Sequence, residues 1–379
     1  MNWKVRYVDY PEQFFNMETE IMATLRHVLS RGDLILREQT ERFEEDLARF
    51  CGARYAVGVS NCTDALHLAY RAAGIGPGDE VITVSHTFVA TVEMIVHLGA
   101  EPLLVDIGDD HNIDGAKIEA AITPRTKAIV PVSLNGRCAD LERISRIADK
   151  YGLAVIEDSA QALGASCDGR KAGTFGLAGC FSFYPAKLLG AYGDAGAVVT
   201  NDAQLAAKIR LLRNHGRAPS GEISCWAFNC RIDNIQAALL DLKLARLPQW
   251  LERRREIARI YDQHLRDVPG LMLPPGPDAD TTRYDVFQNY EIETDGLAGL
   301  TKHLKASGIE HLRPWGGKGV HQFPALGLGR FHLPRTERLF QRAVMLPMYP
   351  ELSDEDARYV ADVVRQFHIA RAERQRAAA

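Results

Sequence analysis

Val155-Ile156-Glu157-Asp158-Ser159-Ala160-Gln161 reads as an apolar strand that stops in two carboxylates and a small polar turn. A strand with no alternating polar face suits a position buried on both sides, as in a parallel sheet between helices. Outward from it, short apolar runs recur at Ala56–Val59, Val81–Val84, Leu103–Asp106, Ala128–Val132, Ala154–Glu157, Cys180–Tyr184 and Ala197–Thr200. Stretches with helical spacing lie between several of them: Asp64–Ala73, Thr87–Leu98 and Asp140–Tyr151. Strands alternating with helices predict an α/β fold with a mostly parallel sheet covered on both faces. Ligands of such sheets sit outside the carboxyl ends of the strands, which is where Asp158 falls.

Past residue 200 the pattern changes. Asp233–Leu247 and Trp250–Arg266 predict two helices broken at Pro248, with Arg253-Arg254-Arg255 on a solvated face of the second. A Pro/Gly-rich break follows at Pro269-Gly270 and Pro274-Pro275-Gly276-Pro277. A strand near Val286–Ile292 and helices near Leu297–Ser307 and Ser353–Phe367 come next. The division expected is a large domain over 14–248 and a smaller α+β domain over 249–379, with residues 1–13 associated with the smaller one. Ala370–Ala379 is basic and alanine-rich, the composition of a frayed helix end.

Composition narrows the class. The 379 residues are 46% hydrophobic and 25% charged, the balance of a globular enzyme of about two domains. A net charge of −4 provides no field for nucleic acid or an anionic membrane surface. No apolar run approaches the ~20 residues of a membrane span, and Met1-Asn2-Trp3-Lys4 lacks the apolar core of a signal peptide. The cysteines at 51, 62, 138, 167, 180, 225 and 230 form no CxxC pair and no metal spacing. Scattered and odd in number, they predict free thiols and a cytoplasmic location.

Two stretches carry candidate chemistry. In Cys180-Phe181-Ser182-Phe183-Tyr184-Pro185-Ala186-Lys187 a strand delivers a lysine to the sheet mouth, where a neighbouring strand brings Asp158. That pair suits pyridoxal 5′-phosphate (PLP): the amine forms an imine and the carboxylate keeps the pyridine nitrogen protonated. A surface lysine and a strand-end acid give the same pattern. In Val57-Gly58-Val59-Ser60-Asn61-Cys62-Thr63-Asp64 a strand runs into a helix whose N-terminal N–H groups could hold a phosphate, or which is simply capped there. Neither GxGxxG nor GxxxxGK[ST] is present, which removes the best support for nicotinamide or nucleoside-triphosphate binding.

Together with Gly74–Val81, Thr87–Thr91, Ala121–Val132, Ile156–Gly164, Phe181–Thr200, Arg210–Gly216, Asn229–Ala238 and Leu346–Leu352, these stretches resemble the DegT-type sugar aminotransferases. The resemblance implies a PLP-dependent transferase of fold type I. Its large domain has a mostly parallel mixed sheet between helices, and its C-terminal domain is smaller and α+β. It implies that Lys187 carries PLP, that Asp158 pairs with the ring nitrogen, and that Gln161 lies near the ring hydroxyl. Phe88 is expected on one ring face and Ala160 on the other, with Thr63 and Ser182 on the phosphate beside Cys62. Asn229 is expected to reach the phosphate of a neighbouring subunit, which implies a homodimer with shared sites. Three departures stand out: Cys62 where the family has Gly or Ala, Phe228-Asn229-Cys230-Arg231 in the subunit-crossing segment, and Arg313–His321 where many members carry His-Tyr-Pro.

The activity implied is transfer of an amino group, with glutamate the family's usual donor, to a keto-sugar linked to a nucleotide. Arg231, Arg313, Lys318 and His321 are candidate substrate contacts because a diphosphate needs cationic donors. The 313–321 loop reads equally as a solvated one. His86 faces either the cofactor and substrate or the packing beneath them. Alternatives are a keto-cyclitol acceptor, a PLP-dependent sugar dehydratase, whose members replace the lysine by histidine, and a non-catalytic regulatory protein of the same fold.

Overall fold

Seven strands form the central sheet of the computed structural model, which describes residues 3–378. They are β1 (Tyr55–Val59), β2 (Glu80–Val84), β3 (Glu101–Val105), β4 (Thr126–Ile129), β5 (Ala154–Asp158), β6 (Ala178–Ser182) and β7 (Gly196–Thr200). Their order is β1-β7-β6-β5-β4-β2-β3. β7 runs antiparallel to both neighbours, and the remaining pairs are parallel. The α/β expectation is met, and the seven predicted strands are the seven observed. β2 and β7 are buried at every residue, as sheets covered on both faces require.

Two apolar layers sandwich this sheet. Phe43, Leu47, Ile129, Phe181 and Leu240 belong to one, and Leu66, Tyr70, Ile95, Ile156 and Val198 to the other. Burying a large apolar side chain contributes about 1.5–3 kcal/mol. These layers therefore hold the scaffold, and the polar loops at the strand ends are free to carry charged groups.

Five helices matter for the site or for the sequence reading: α1 (Cys62–Ala72), α2 (Ala90–His97), α3 (Asn234–Leu244), α4 (Leu247–Leu265) and α5 (Asp354–Ala378). A second, antiparallel sheet places β9 (Tyr290–Thr294) between β8 (Leu271–Met272) and β10 (Ala343–Leu346). Its apolar side packs with Ile257, Tyr261, Leu300, Val360 and Val5. Val5 also bridges Ile309 through the backbone, so the N-terminal segment lies with the C-terminal elements.

Several local expectations are corrected. Pro248 does not separate two helices but sits in the first turn of α4, where its missing N–H has no intrahelical partner to lose. Arg254 and Arg255 are not on a solvated face, being only 3% and 6% exposed. Arg254 Nη1 donates to the carbonyl of Met348 at 2.8 Å and of Phe287 at 3.2 Å. Arg255 donates to those of Asp285 and Pro277 at 3.0 and 2.9 Å. Guanidinium forks satisfy the carbonyls of an irregular crossing that no strand pairs. The strand near Val286–Ile292 starts only at Tyr290, since Phe287 has a φ of +49° and breaks the extended run. The last helix continues to Ala378, without a break at Phe367.

Candidate active site

β5 lies at the centre of the sheet, and Asp158 is its last residue. Asp158 is 5% exposed. Its Oδ2 accepts from Thr91 Oγ1 at 2.7 Å and its Oδ1 from the Ala160 N–H at 3.1 Å. Burial raises this carboxyl above the ordinary aspartate range, opposed by those two hydrogen bonds and by the nearby charge of Lys187. A buried carboxylate in this state is best satisfied by a cationic N–H donor.

Lys187 follows β6 on a loop fixed from three sides. Its N–H donates to the Tyr184 carbonyl at 2.8 Å, and the Ala191 N–H to that of Phe183 at 2.7 Å. Gln288 spans the lysine, donating from Nε2 to the Ala186 carbonyl and accepting from the Leu188 N–H, both at 2.8 Å. A Cβ on Gly190 would lie 2.2 Å from the Pro185 carbonyl oxygen, so this return of the chain accepts only glycine. Burial pushes the Lys187 ammonium below the ordinary lysine range, with Cys62 and Asp158 partly offsetting it. The neutral amine is thereby made accessible.

The third wall is the start of α1. Asn61 caps it, taking the Asp64 N–H on Oδ1 at 2.7 Å. β7 passes so close that a Cβ on Gly196 would lie 2.4 Å from the Asn61 carbonyl carbon and 2.7 Å from the Cys62 nitrogen. The strand thus presses the helix mouth toward Ser182 at the end of β6. Cys62, Thr63 and Ser182 line one cavity with Asp158 and Lys187, of about 580 Å³.

Phe88, Ala160, Gln161 and His86 border the same cavity. Phe88 is 56% exposed and its ring centroid lies 5.8 Å from that of Trp315. Gln161 Oε1 accepts the Asn135 N–H at 2.8 Å. His86 is buried, with Nε2 3.7 Å from Glu291 Oε2. The remaining candidates lie elsewhere. Asn229 is exposed and bridges Asn214 through the backbone, and Arg231 donates to Asn214 Oδ1 at 3.2 Å. Arg313 and Lys318 line a separate open cleft of about 720 Å³. Arg313 there donates to the Phe340 carbonyl. His321 is buried against Ser85, Nδ1 to Oγ 2.6 Å, and does not reach the cavity.

Sequence reasoning passed over Thr91, Gln288, Tyr7, Trp315 and Glu291. Thr91 stood inside a quoted block without a role, and a helical step from Phe88 would have pointed to it. Trp315 likewise stood inside the 313–321 loop without a role; Gln288, Tyr7 and Glu291 come from distant segments, and no local signal ties them to Asp158 or Lys187.

The groups in the cavity fit PLP: an amine for its aldehyde, a buried carboxylate for its ring nitrogen, and hydroxyls at a helix mouth for its phosphate. Among the described residues no helix is long and apolar enough to cross a membrane, and all seven cysteines are unpaired.

Comparison with known proteins agrees with this geometry. A "pleiotropic regulatory protein" of Geobacillus stearothermophilus is 40% identical, the match covering 96% of this chain and 98% of that one. A UDP-N-acetyl-3-dehydro-alpha-D-glucosamine 3-aminotransferase of Acidithiobacillus ferrooxidans is also 40% identical, again over 96% and 98%. The X-ray structure of Streptomyces venezuelae DesV in complex with a ketimine intermediate superposes with a TM-score of 0.92 at 38% identity, covering 96% of this chain and 98% of that one. The DegT/DnrJ/EryC1/StrS aminotransferase family matches residues 16–365, nearly the whole length, and the chain belongs to it.

Proposed function

We propose that this chain is a PLP-dependent aminotransferase that moves an amino group from L-glutamate to the ketone of a nucleotide-linked 3- or 4-keto-6-deoxysugar in amino-sugar biosynthesis. It works in the cytoplasm as a homodimer. The observation that carries this reading is the meeting of Lys187 and Asp158 in one cavity, at the ends of neighbouring parallel strands. The activity named for the Acidithiobacillus relative and the reaction state of DesV support it. A cavity furnished with amine, carboxylate and phosphate donors favours catalysis over the regulatory role that the Geobacillus name suggests.

PLP supplies an aldehyde that condenses with amines and a ring that withdraws electrons from the adjoining C–H bond. Lys187 Nζ would hold it at rest. Its Nζ would also accept the proton of the donor α-carbon and return one to the carbon of the former ketone. Burial lowers its basicity, which favours the neutral amine that such a transfer needs. Asp158, steadied by Thr91, would keep the ring nitrogen in its N–H form. Thr63 and Ser182, with the N–H groups at the α1 mouth beside Cys62, would bind the phosphate. Phe88 and Ala160 would limit the ring's tilt, and Gln161 would serve its hydroxyl.

The same reading divides the chain near residue 248 and places residues 1–13 with the C-terminal part, supported by the Val5–Ile309 bridge. No arginine lines the cavity among the described residues, although glutamate brings two carboxylates. Asn229 and Arg231, on the surface near Asn214, are the groups proposed to enter the partner's site. Arg313 and Lys318, in the neighbouring cleft, are proposed to meet the diphosphate end of the acceptor. His321 is proposed to act by holding Ser85.

Glutamate alone should convert the bound cofactor spectrally, with one 2-oxoglutarate released per site. The aminated enzyme should then be discharged by a keto-sugar nucleotide from a panel that includes keto-cyclitols. A spectrum unmoved by any amino acid would sink the aminotransferase reading, and discharge by a cyclitol alone would sink the sugar. For the dimer, mixing Lys187→Ala with Asn229→Ala subunits should restore roughly a quarter of wild-type activity, because half the dimers then hold one intact site. No recovery on mixing would show that Asn229 serves its own chain.

A further inference from the structure

The N-terminal segment reaches the cavity through one side chain. Its backbone is tied to residues 308–310. The Lys4 and Val5 N–H groups donate to the Gly308 carbonyl at 2.8 and 3.1 Å, and the Glu310 N–H donates to that of Val5 at 2.9 Å. The Tyr7 N–H donates to Glu310 Oε2 at 2.9 Å. So anchored, Tyr7 lines the cavity that holds Lys187 and Asp158. Its hydroxyl donates to Asn289 Oδ1 at 2.9 Å, with the Met345 sulfur a weaker acceptor at 3.7 Å. Burial pushes this hydroxyl well above the ordinary tyrosine range, Arg254 opposing and Glu291 and Tyr10 adding to it, so it remains a neutral O–H donor.

A chain of amides starts from that hydroxyl. Asn289, just before β9, is buried. Its Nδ2 donates to Asn135 Oδ1 at 2.8 Å and, more loosely, to Gln161 Oε1 at 3.4 Å. Asn135 has a left-handed backbone, with a φ of +54°, which asparagine adopts more readily than most residues. From that position its N–H donates to Gln161 Oε1 at 2.8 Å. A carboxamide has distinct donor and acceptor ends, and its neighbours decide which way it points. A backbone N–H can only donate, so Gln161 meets Asn135 with its oxygen. Reversing Asn289 would then set its oxygen against Gln161 Oε1, acceptor against acceptor. The oxygen of Asn289 therefore belongs to Tyr7, and every link has one direction. The end of Gln161 left for the cavity is Nε2, which has no hydrogen-bond partner among the described residues.

We propose that Tyr7 is a positioning residue of this site: acting through Asn289, it fixes Gln161 with its amide N–H toward the ring oxygen of the cofactor. This rests on the PLP reading above and adds the N-terminal segment to the groups that tune the cofactor. A donor at the ring oxygen favours its ionised form and weakens its hold on the proton it shares with the cofactor's bond to Lys187. That proton should leave at lower pH when the chain of hydrogen bonds is intact than when it is cut.

The test follows the visible absorbance of the holoenzyme through a pH titration. Tyr7→Phe removes one oxygen and should raise the midpoint by about 0.3–1 pH unit. Asn289→Ala should raise it at least as far. Adding Tyr7→Phe to Asn289→Ala should then move it by less than about 0.2 unit, since groups acting in one network do not add. Gln161→Ala is a second background in which Tyr7→Phe should add nothing, and it serves if Asn289→Ala folds poorly. The charged groups nearby, Arg254, Glu291, Asp158 and Lys187, are the same in every variant, so a shift must come through the amides. A midpoint unmoved or lowered in Tyr7→Phe would overturn the proposal. So would a Tyr7→Phe shift of full size in a background without the Asn289 or Gln161 amide. A wild type that shows no visible band with PLP is instead the failure of the PLP reading.

Discussion

Lys187→Ala is expected to lower the turnover of glutamate and keto-sugar by at least about a thousandfold, since it removes both the proposed covalent anchor and the proposed carrier of the proton. The loop around it should survive. Gln288 binds the Ala186 carbonyl and the Leu188 N–H, and the Lys187 N–H binds Tyr184, all through the backbone or a neighbour's side chain. The variant should therefore fold and still take up PLP, through Asp158 and the α1 mouth. Two readouts separate chemistry from structure. Borohydride reduction should attach the cofactor's mass to the peptide containing residue 187 in wild type and not in the variant. Small exogenous amines should restore part of the proton transfer, because the cavity of about 580 Å³ has room where the lysine stem was. Activity within tenfold of wild type, or a cofactor still reduced onto the chain elsewhere, would remove Lys187 from its assigned place.

The central sheet was legible because it obeys local rules. Each strand is an apolar run of four or five residues closed by turn-forming residues, and the helices between keep their period. The same rules put Asp158 and Lys187 at the sheet's carboxyl edge before any contact was known. Legibility ended where the chain satisfies itself over distance. Arg254 and Arg255 looked like solvated charges, because nothing in Arg253-Arg254-Arg255 tells that unpaired carbonyls some thirty residues away or more need donors. Gln288 lies in a stretch that reads as strand, yet it acts from a kink beside Phe287 and its positive φ. Thr91 could be reached from its helical spacing to Phe88, whereas Glu291 required the second sheet to be folded against the first. The loop at 313–321 split in two: Trp315 turns toward Phe88 and the cavity, while Arg313 and Lys318 face the neighbouring cleft. Sequence spacing carries no information about such a turn, which depends on positive φ at Trp315 and Gly316.

Asp158→Asn should cost about a hundred- to a thousandfold in turnover while leaving the cavity nearly unchanged in shape. Asparagine can still accept from Thr91 Oγ1 or the Ala160 N–H, so the end of β5 keeps its place. What it loses is the negative charge proposed to keep the ring nitrogen of PLP protonated, and with it the pull on electrons from the donor's C–H bond. Binding of the cofactor should weaken far less than turnover, because the amine and the phosphate donors remain. The effect should also fall on proton removal specifically. A deuterium at the donor's α-carbon should slow the variant more than wild type, since breaking that bond becomes more fully rate-limiting. Glu157, next along the strand, provides the control. Its side chain is turned to the opposite side, accepting the N–H groups of Gly173, Phe175 and Gly176 at 2.6, 2.6 and 2.9 Å, and burial raises its carboxyl to about 7. Glu157→Gln should therefore lower the melting temperature without enlarging the isotope effect. If the two substitutions gave the same pattern, Asp158 would be only another buried carboxylate holding the sheet edge, and the pairing with the ring nitrogen would have to be given up.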